Sequence, residues 1–268
     1  MSRNGPLALA FHTLFVIFML APIVVVCFVA FTPEAYLSFP TTRWSLRWFR
    51  AIADYPEFVA AFWQSVWLGA LSSAIAVAFS VPAALAIARH RFAGREVLLT
   101  LFQSPLMIPH VVLGIAFLRF FTEIGLAGTF FGLVISHIVI VFPFALRLTL
   151  ASATGMNPQI EQAAVSLGAS EATVLRRITL PLILPGLVSG WALAFINSFD
   201  EVTMTVFIAT PGTETLPVRM FLYIQDNIDP LVTSVSACVI VVTVAALVAL
   251  DRLYGLEALL IGRGKGEQ

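Results

Sequence analysis

The sequence predicts an all-α, polytopic membrane protein with six transmembrane helices. Hydrophobic residues make up 59% of its 268 positions and charged residues only 11%, against roughly 25% charged in an ordinary soluble domain. Six apolar runs reach the length of about 20 residues that a helix needs to cross hydrocarbon. They are continuous rather than alternating, which excludes a strand barrel. Formal net charge is zero, so nothing electrostatic points to nucleic acid as a partner.

The spans are expected at 7–31, 61–88, 97–121, 126–150, 185–209 and 231–250. The first run is too long for a signal h-region and lacks a small-residue cleavage site, so it reads as a retained helix. In the third, Pro105 and Pro109 lie within SPLMIPH, with His110 directly after the second, and should kink the helix. No sequence repeat links the two halves. Cys27 and Cys238 fall inside apolar runs, away from any CxxC or ligand cluster, and read as small buried side chains.

Arginines set the orientation. With a cytoplasmic N-terminus, the inner segments hold Arg3, Arg89, Arg91, Arg95, Arg147, Arg176, Arg177, Arg252, Arg263 and Lys265, and the outer ones Arg43, Arg47, Arg50, Arg119 and Arg219. Ten against five places both termini inside. The outer segment 31–60 carries Trp44, Trp48 and Phe49 and is expected to be an interfacial helix with aromatic anchors. A second outer segment, 211–230, is too short and charged to span. Leu216, Met220 and Tyr223 or Ile224 give it helical spacing, for a helix lying at the surface or dipping partway in.

Between the fourth and fifth runs lies a polar, patterned stretch, NPQIEQAAVSLGASEATVLRRITLPLILP, longer than a connector needs. Asn157 caps a helix and Pro158 takes its first position. Ile160, Ala163, Ala164 and Leu167 then form a narrow apolar stripe. Gly168 breaks the helix, Ser170 caps the next, and Glu171 suits the positive end of its dipole. Leu175 and Ile178 continue the apolar face, and Leu180-Pro181 is expected to end it. On these residues alone, a docking element and an amphipathic hairpin lying on the membrane both remain open.

The spacing Ala163-Ala164, Gly168, Ile178, Leu180-Pro181 resembles the EAA signature, EAA-x3-G-x9-I-x-LP, of permease subunits of binding-protein-dependent ATP-binding cassette importers. The signature glutamate falls on Gln162, with Glu161 displaced by one residue. That shift turns a side chain by ~100° on a helix, so the family glutamate's contacts are not carried to Glu161. The resemblance covers nearly the whole chain and implies a type I ABC importer permease fold, with permease domain 61–250 preceded by 1–60 and followed by a cytoplasmic tail at 251–268. Within the cytoplasmic loop 151–184, Glu161, Gln162, Ala163, Ala164, Leu167, Gly168, Ala169 and Ser170 would form the coupling element that docks on an ATPase.

Within the family the chain is most similar to the second permease of spermidine/putrescine importers, through SLGASEATVLRRITLP, GWALAFINSFDEVTMTVFIATPG and ETLPVRMFLYIQDNIDP. The partners implied are an ATPase dimer, a second, homologous but unlike permease, an extracytoplasmic solute-binding protein and membrane lipid, in a bacterial inner membrane. The solute implied is small and charged, of polyamine type, with opines and aminoalkylphosphonates as alternatives. No cofactor is expected on this chain, and ATP and Mg would sit on the partner ATPase. GxxxxGK[ST] is absent, and GRGKG near the C-terminus has Gly where Ser or Thr must hold magnesium.

Asp200 and Glu201 are the candidate pathway or gate residues, with Asn197 and Ser198 one turn below. They are expected about 22–24 Å along the fifth helix, in its outer half. Two adjacent carboxylates at that depth need water, a partner or a cation. They would attract an ammonium-bearing solute, or pair with an arginine such as Arg119 or Arg219. His12 and His137 read as interhelical hydrogen-bonders, and Ser72 and Ser73 as small residues for close packing. No nucleophile–base pair or ligand cluster lies in the spans, so neither a catalytic nor a metal site is expected. An ion-gradient carrier would want acids on several helices and an internal repeat, and would leave the hairpin unexplained.

Overall fold

A computed structural model of the chain describes residues 5–41 and 43–254. The start with Arg3 and the end with Arg263, Lys265 and GRGKG lie outside them, as does most of the expected tail. The described residues are helical without strands. The chain divides into two compact units, Met1–Ala60 with Met220–Val248, and Ala61–Arg219 with Ala249–Gln268.

In chain order the helices are α1 (Pro6–Val29), α2 (Arg47–Ala51), α3 (Pro56–Arg89), α4 (Arg95–Gln103), α5 (His110–Ile124) and α6 (Phe130–Gly155). There follow α7 (Pro158–Ser166), α8 (Glu171–Val174), α9 (Leu180–Phe199), α10 (Thr205–Ile208), α11 (Leu216–Asp226) and α12 (Leu231–Tyr254). Among the described residues four helices are individually long and apolar enough to cross a membrane: Leu7–Val29, Pro56–Arg89, Phe130–Gly155 and Glu171–Phe199. A fifth span arises if α4 and α5 count as one broken crossing, and α12 adds an apolar stretch over Leu231–Ala246.

The second span begins at Pro56 rather than 61 and the fourth runs Phe130–Gly155 rather than 126–150, and the third and fifth differ most. The third is not one kinked helix: Arg95–Met107 and His110–Ile124 meet at 98°. Ile108 and Pro109 are both extended, with ψ of 128° and 130°. A residue before proline is pushed out of the α region, and here Pro109 itself follows it into extended geometry. The fifth begins earlier and ends earlier than 185–209. Leu180-Pro181 does not stop the helix, because a π-helical stretch over Leu175–Thr179 joins α8 to α9. A wider turn relieves the clash between a proline ring and the carbonyl four residues back. The helix then ends at Phe199, with Asp200 as its C-cap.

In the second unit, α3, α5, α6, α9 and α10 share a core of Leu68, Ala76, Phe121, Leu133, Ile140, Val141, Ala145, Ala194, Met204 and Ile208. Helices α6 and α9 cross closely at Gly186, where a Cβ would sit 2.3 Å from Ser152 Cβ. Small residues at crossings let membrane helices approach. Ser72 and Ser73 are both fully buried, as close packing requires. Helices α3 and α6 are also tied by Ser80 Oγ and Thr149 Oγ1, 2.9 Å apart and buried.

In the first unit, Trp48 is buried rather than anchoring at an interface, and its Nε1 donates to Glu34 O at 2.9 Å. Trp44 is exposed and packs on Phe28 and Phe31. The interfacial helix expected in 31–60 shrinks to five-residue α2, and Phe31 packs against both Trp44 and Phe49 in this stretch. The helix expected in 211–230 is α11, with Tyr223 buried and Ile224 exposed. The Tyr223 hydroxyl donates to Asp229 Oδ2 at 2.8 Å, while Asp229 Oδ1 accepts from Leu231 N and starts α12. Cys27 is half-buried and Cys238 exposed, so neither is the buried small side chain expected.

Candidate functional site

The hairpin after α6 folds as its caps dictate. Asn157 Oδ1 accepts from Gln159 N at 3.0 Å, and Pro158 opens α7. The helix closes with Gly168 at φ +88°, Gly168 N donating to Val165 O and Ala169 N to Ala164 O. That pattern needs a left-handed residue, which glycine supplies without Cβ strain. Ser170 then accepts from Thr173 N and starts α8.

The stripe expected along α7 divides. Ile160, Ala163 and Leu167 are exposed, Leu167 by 90%, whereas Ala164 is half-buried with Ala169. Gln162 is exposed too. Glu161 turns the other way, as the ~100° step between neighbours requires. Its Oε1 accepts from Arg89 Nη2 at the end of α3 and from the Thr179 hydroxyl at the end of the π-helical stretch. Arg89 Nη2 also reaches Thr179 Oγ1 at 3.2 Å. Of the eight residues expected in this element, Glu161 thus faces the chain's own helices. Neither Arg89 nor Thr179 was singled out as its partner, because an arginine 72 residues away leaves no local pattern.

At the other end of α9, Asp200 and Glu201 lie beyond the helix, not within it. Glu201 is buried and spoken for. Its Oε2 is 2.6 Å from His110 Nδ1, and its Oε1 accepts from Met204 N at 2.6 Å. The arginine partners weighed from sequence are engaged elsewhere, Arg119 with Glu123 and Arg219 with Glu214. Asp200 is exposed, and among the described residues it makes no ion pair.

A cleft of about 140 Å³ is lined by His110, Ile140, Phe144, Ile196, Asn197, Asp200 and Glu201. Asn197 Nδ2 donates to Leu193 O at 2.8 Å, which leaves its carbonyl oxygen as a further acceptor. The cleft sits at the C-terminal end of α9, where unpaired carbonyls carry a partial negative charge. With Asp200 added, the wall favours a cation. Ser198 is not part of it. It is buried and contacts His137 Nδ1 at 2.7 Å, while His137 Nε2 reaches Thr205 Oγ1 at 3.1 Å. His137 is therefore an interhelical hydrogen-bonder linking α6 to both sides of the α9–α10 corner, whereas His12 is exposed on α1. His110 was missed as a partner of the acids. Its one signal was its place just after Pro109.

A bundle of long apolar helices with a capped hairpin at one end and a polar cleft near the other defines a membrane transport subunit. The family of binding-protein-dependent transport system inner membrane components matches residues 77–256, and the chain belongs to it. The chain is 29% identical over 237 residues to the spermidine/putrescine transport system permease protein PotC of Haemophilus influenzae, covering 88% of this chain and 91% of that one. It is 25% identical over 230 residues to the putrescine transport system permease protein PotI of Escherichia coli, covering 83% and 82%. Its fold is similar to that of a chain from a bacterial ABC transporter involved in the import of the acidic polysaccharide alginate. That match has a TM-score of 0.72 at 15% identity and covers 95% of this chain and 99% of the other. The chain is a permease of a binding-protein-dependent ABC importer, an all-α membrane protein of type I permease fold.

Proposed function

We propose that this permease carries a small polyamine-type cation handed over by an extracytoplasmic binding protein, and that it works beside a second, unlike permease. The observation that carries the solute reading is the unpaired Asp200 carboxylate at the C-terminal end of α9. An ammonium group there meets a full charge and the negative end of the helix dipole together. Asp200 and Asn197 are its ligands on this reading, and Glu201 holds the corner that presents them. The names of the polyamine permeases it resembles support the same solute class.

Two cytoplasmic ATPases supply the drive, with ATP and Mg bound to them and not to this chain. They dock on the exposed apolar face Ile160, Ala163 and Leu167 of α7, with Gln162, Gly168, Ala169 and Ser170 beside it. That end also carries Arg89, Arg91, Arg95, Arg176 and Arg177, which supports a cytoplasmic hairpin and cytoplasmic termini. The permease domain is 61–250 on this reading, with loop 151–184 as its coupling element, 1–60 as the preceding span and outer segment, and 251–268 as a tail.

The test is uptake into proteoliposomes. The complete complex with ATP and its binding protein should accumulate labelled putrescine or spermidine, and this chain alone should accumulate neither. Uptake of an opine or aminoalkylphosphonate instead would keep the importer and change the solute. Uptake by the chain alone on an ion gradient would overturn the ATPase reading.

A further inference from the structure

We propose that Glu161, Arg89 and Thr179 form a clasp that makes α7 move with α3 and α9, so that displacement of the loop helix becomes displacement of the membrane helices. The proposal rests on the reading that α7 is the helix on which the ATPase docks.

Helix α7 is joined to its neighbours through two pivots. Met156 before it is extended, with ψ of 136°, and Gly168 after it is left-handed at φ +88°. A helix hung between two such residues can swing without moving anything else. Its other side-chain hydrogen bonds among the described residues are local: Asn157 caps Gln159 N, and Ser166 Oγ donates to Gln162 O. Glu161 alone reaches outward. Its carboxylate takes a charge-assisted bond from Arg89, the last residue of α3, and another from Thr179, next to the first residue of α9.

The environment makes this contact stiff. The Glu161 side chain is 14% exposed, Arg89 is 33% exposed, and Thr179 is fully buried. Bonds to an ionised, mostly buried carboxylate are shorter and stronger than neutral ones, and leaving such a charge unpaired is costly. Arg89 also sits at a helix C-terminus, where its charge is favoured. One carboxylate therefore joins the loop helix to the ends of two membrane helices. The exposed Ile160, Ala163 and Leu167 remain on the opposite side for a partner. These are positioning residues: none touches solute or nucleotide.

The experiment compares Glu161→Gln, Arg89→Gln and the double variant in the reconstituted complex with its ATPase, measuring ATPase co-purification and ATP hydrolysed per solute imported. The clasp predicts that the ATPase still co-purifies, that ATP per solute rises at least fivefold in either single variant, and that the double variant is no worse than a single. Groups in one contact behave this way. An unchanged ratio in Glu161→Gln, or defects that multiply in the double variant, would overturn the proposal. Thr179→Val, which keeps the shape and exchanges the hydroxyl for a methyl, carries the same test if the charged variants do not assemble. It should raise the ratio at least twofold with Thr179→Ser restoring it, and an unchanged ratio overturns the clasp. Absence of ATPase from the wild-type complex would instead sink the docking reading.

Discussion

His110 Nδ1 lies 2.6 Å from Glu201 Oε2, so the first residue after the break in the third span is bonded to the corner that follows α9. Glu201 also takes the Met204 N–H, and His137 bridges Ser198 and Thr205 across the same corner. Two histidines from two helices thus fix the irregular backbone that presents Asp200. Irregular backbone at membrane depth persists only where its polar groups are satisfied in this way.

Removing that support should cost stability. His110→Ala leaves a buried carboxylate with one partner fewer, a loss of about 1–3 kcal/mol. Thermal unfolding of the detergent-purified complex should show a lower midpoint for His110→Ala than for the wild type.

Asp200 and Glu201 should separate cleanly. Asp200→Asn is expected to raise the concentration of cationic solute needed for half-maximal uptake roughly tenfold, equivalent to about 1.4 kcal/mol, with assembly intact. Glu201→Gln is expected to lower the yield of assembled complex. Saturation curves for uptake, normalised to complex recovered, distinguish the two; equal behaviour would remove the division of labour.

Gly168 tests backbone rather than space, since no atom lies within 4 Å of where a Cβ would stand. Gly168→Val forces a β-branched residue into left-handed geometry at roughly 1–2 kcal/mol and should cut ATP-driven uptake severalfold. Gly168→Asn, which tolerates that geometry, should stay near wild type.

Gly186 is the converse case, a matter of space alone. Any Cβ there meets Ser152 Cβ at 2.3 Å and Leu148 O at 2.9 Å. Gly186→Ala should destabilise the α6–α9 crossing by roughly 1–3 kcal/mol. Pairing it with Ser152→Gly should recover part of the loss in the same unfolding measurement.

Much of this was legible in sequence because its causes are local. Asn157, Pro158, Gly168 and Ser170 act on residues two to five positions away, and each cap forms where its residue type demands. The apolar runs were legible for the same reason. What escaped depended on distance. Pro109 marked a break but not its 98° angle. Pro181 looked like a stop, and a π-helical turn absorbed it. The roles of the two acids at 200 and 201 were indistinguishable until His110 was brought to one of them. Glu161 sat beside the signature position, and Arg89 supplied the reason for its direction.

The most direct measurement is cross-linking from the outward face of the loop helix. Single cysteines placed by Ala163→Cys and Leu167→Cys, in a chain with Cys27 and Cys238 replaced by serine, should form adducts with the ATPase subunit in the assembled, transport-active importer. Val165→Cys, exposed but turned ~160° from both on the helix, should give far less. Active complexes in which neither Ala163→Cys nor Leu167→Cys reaches the ATPase would contradict the account.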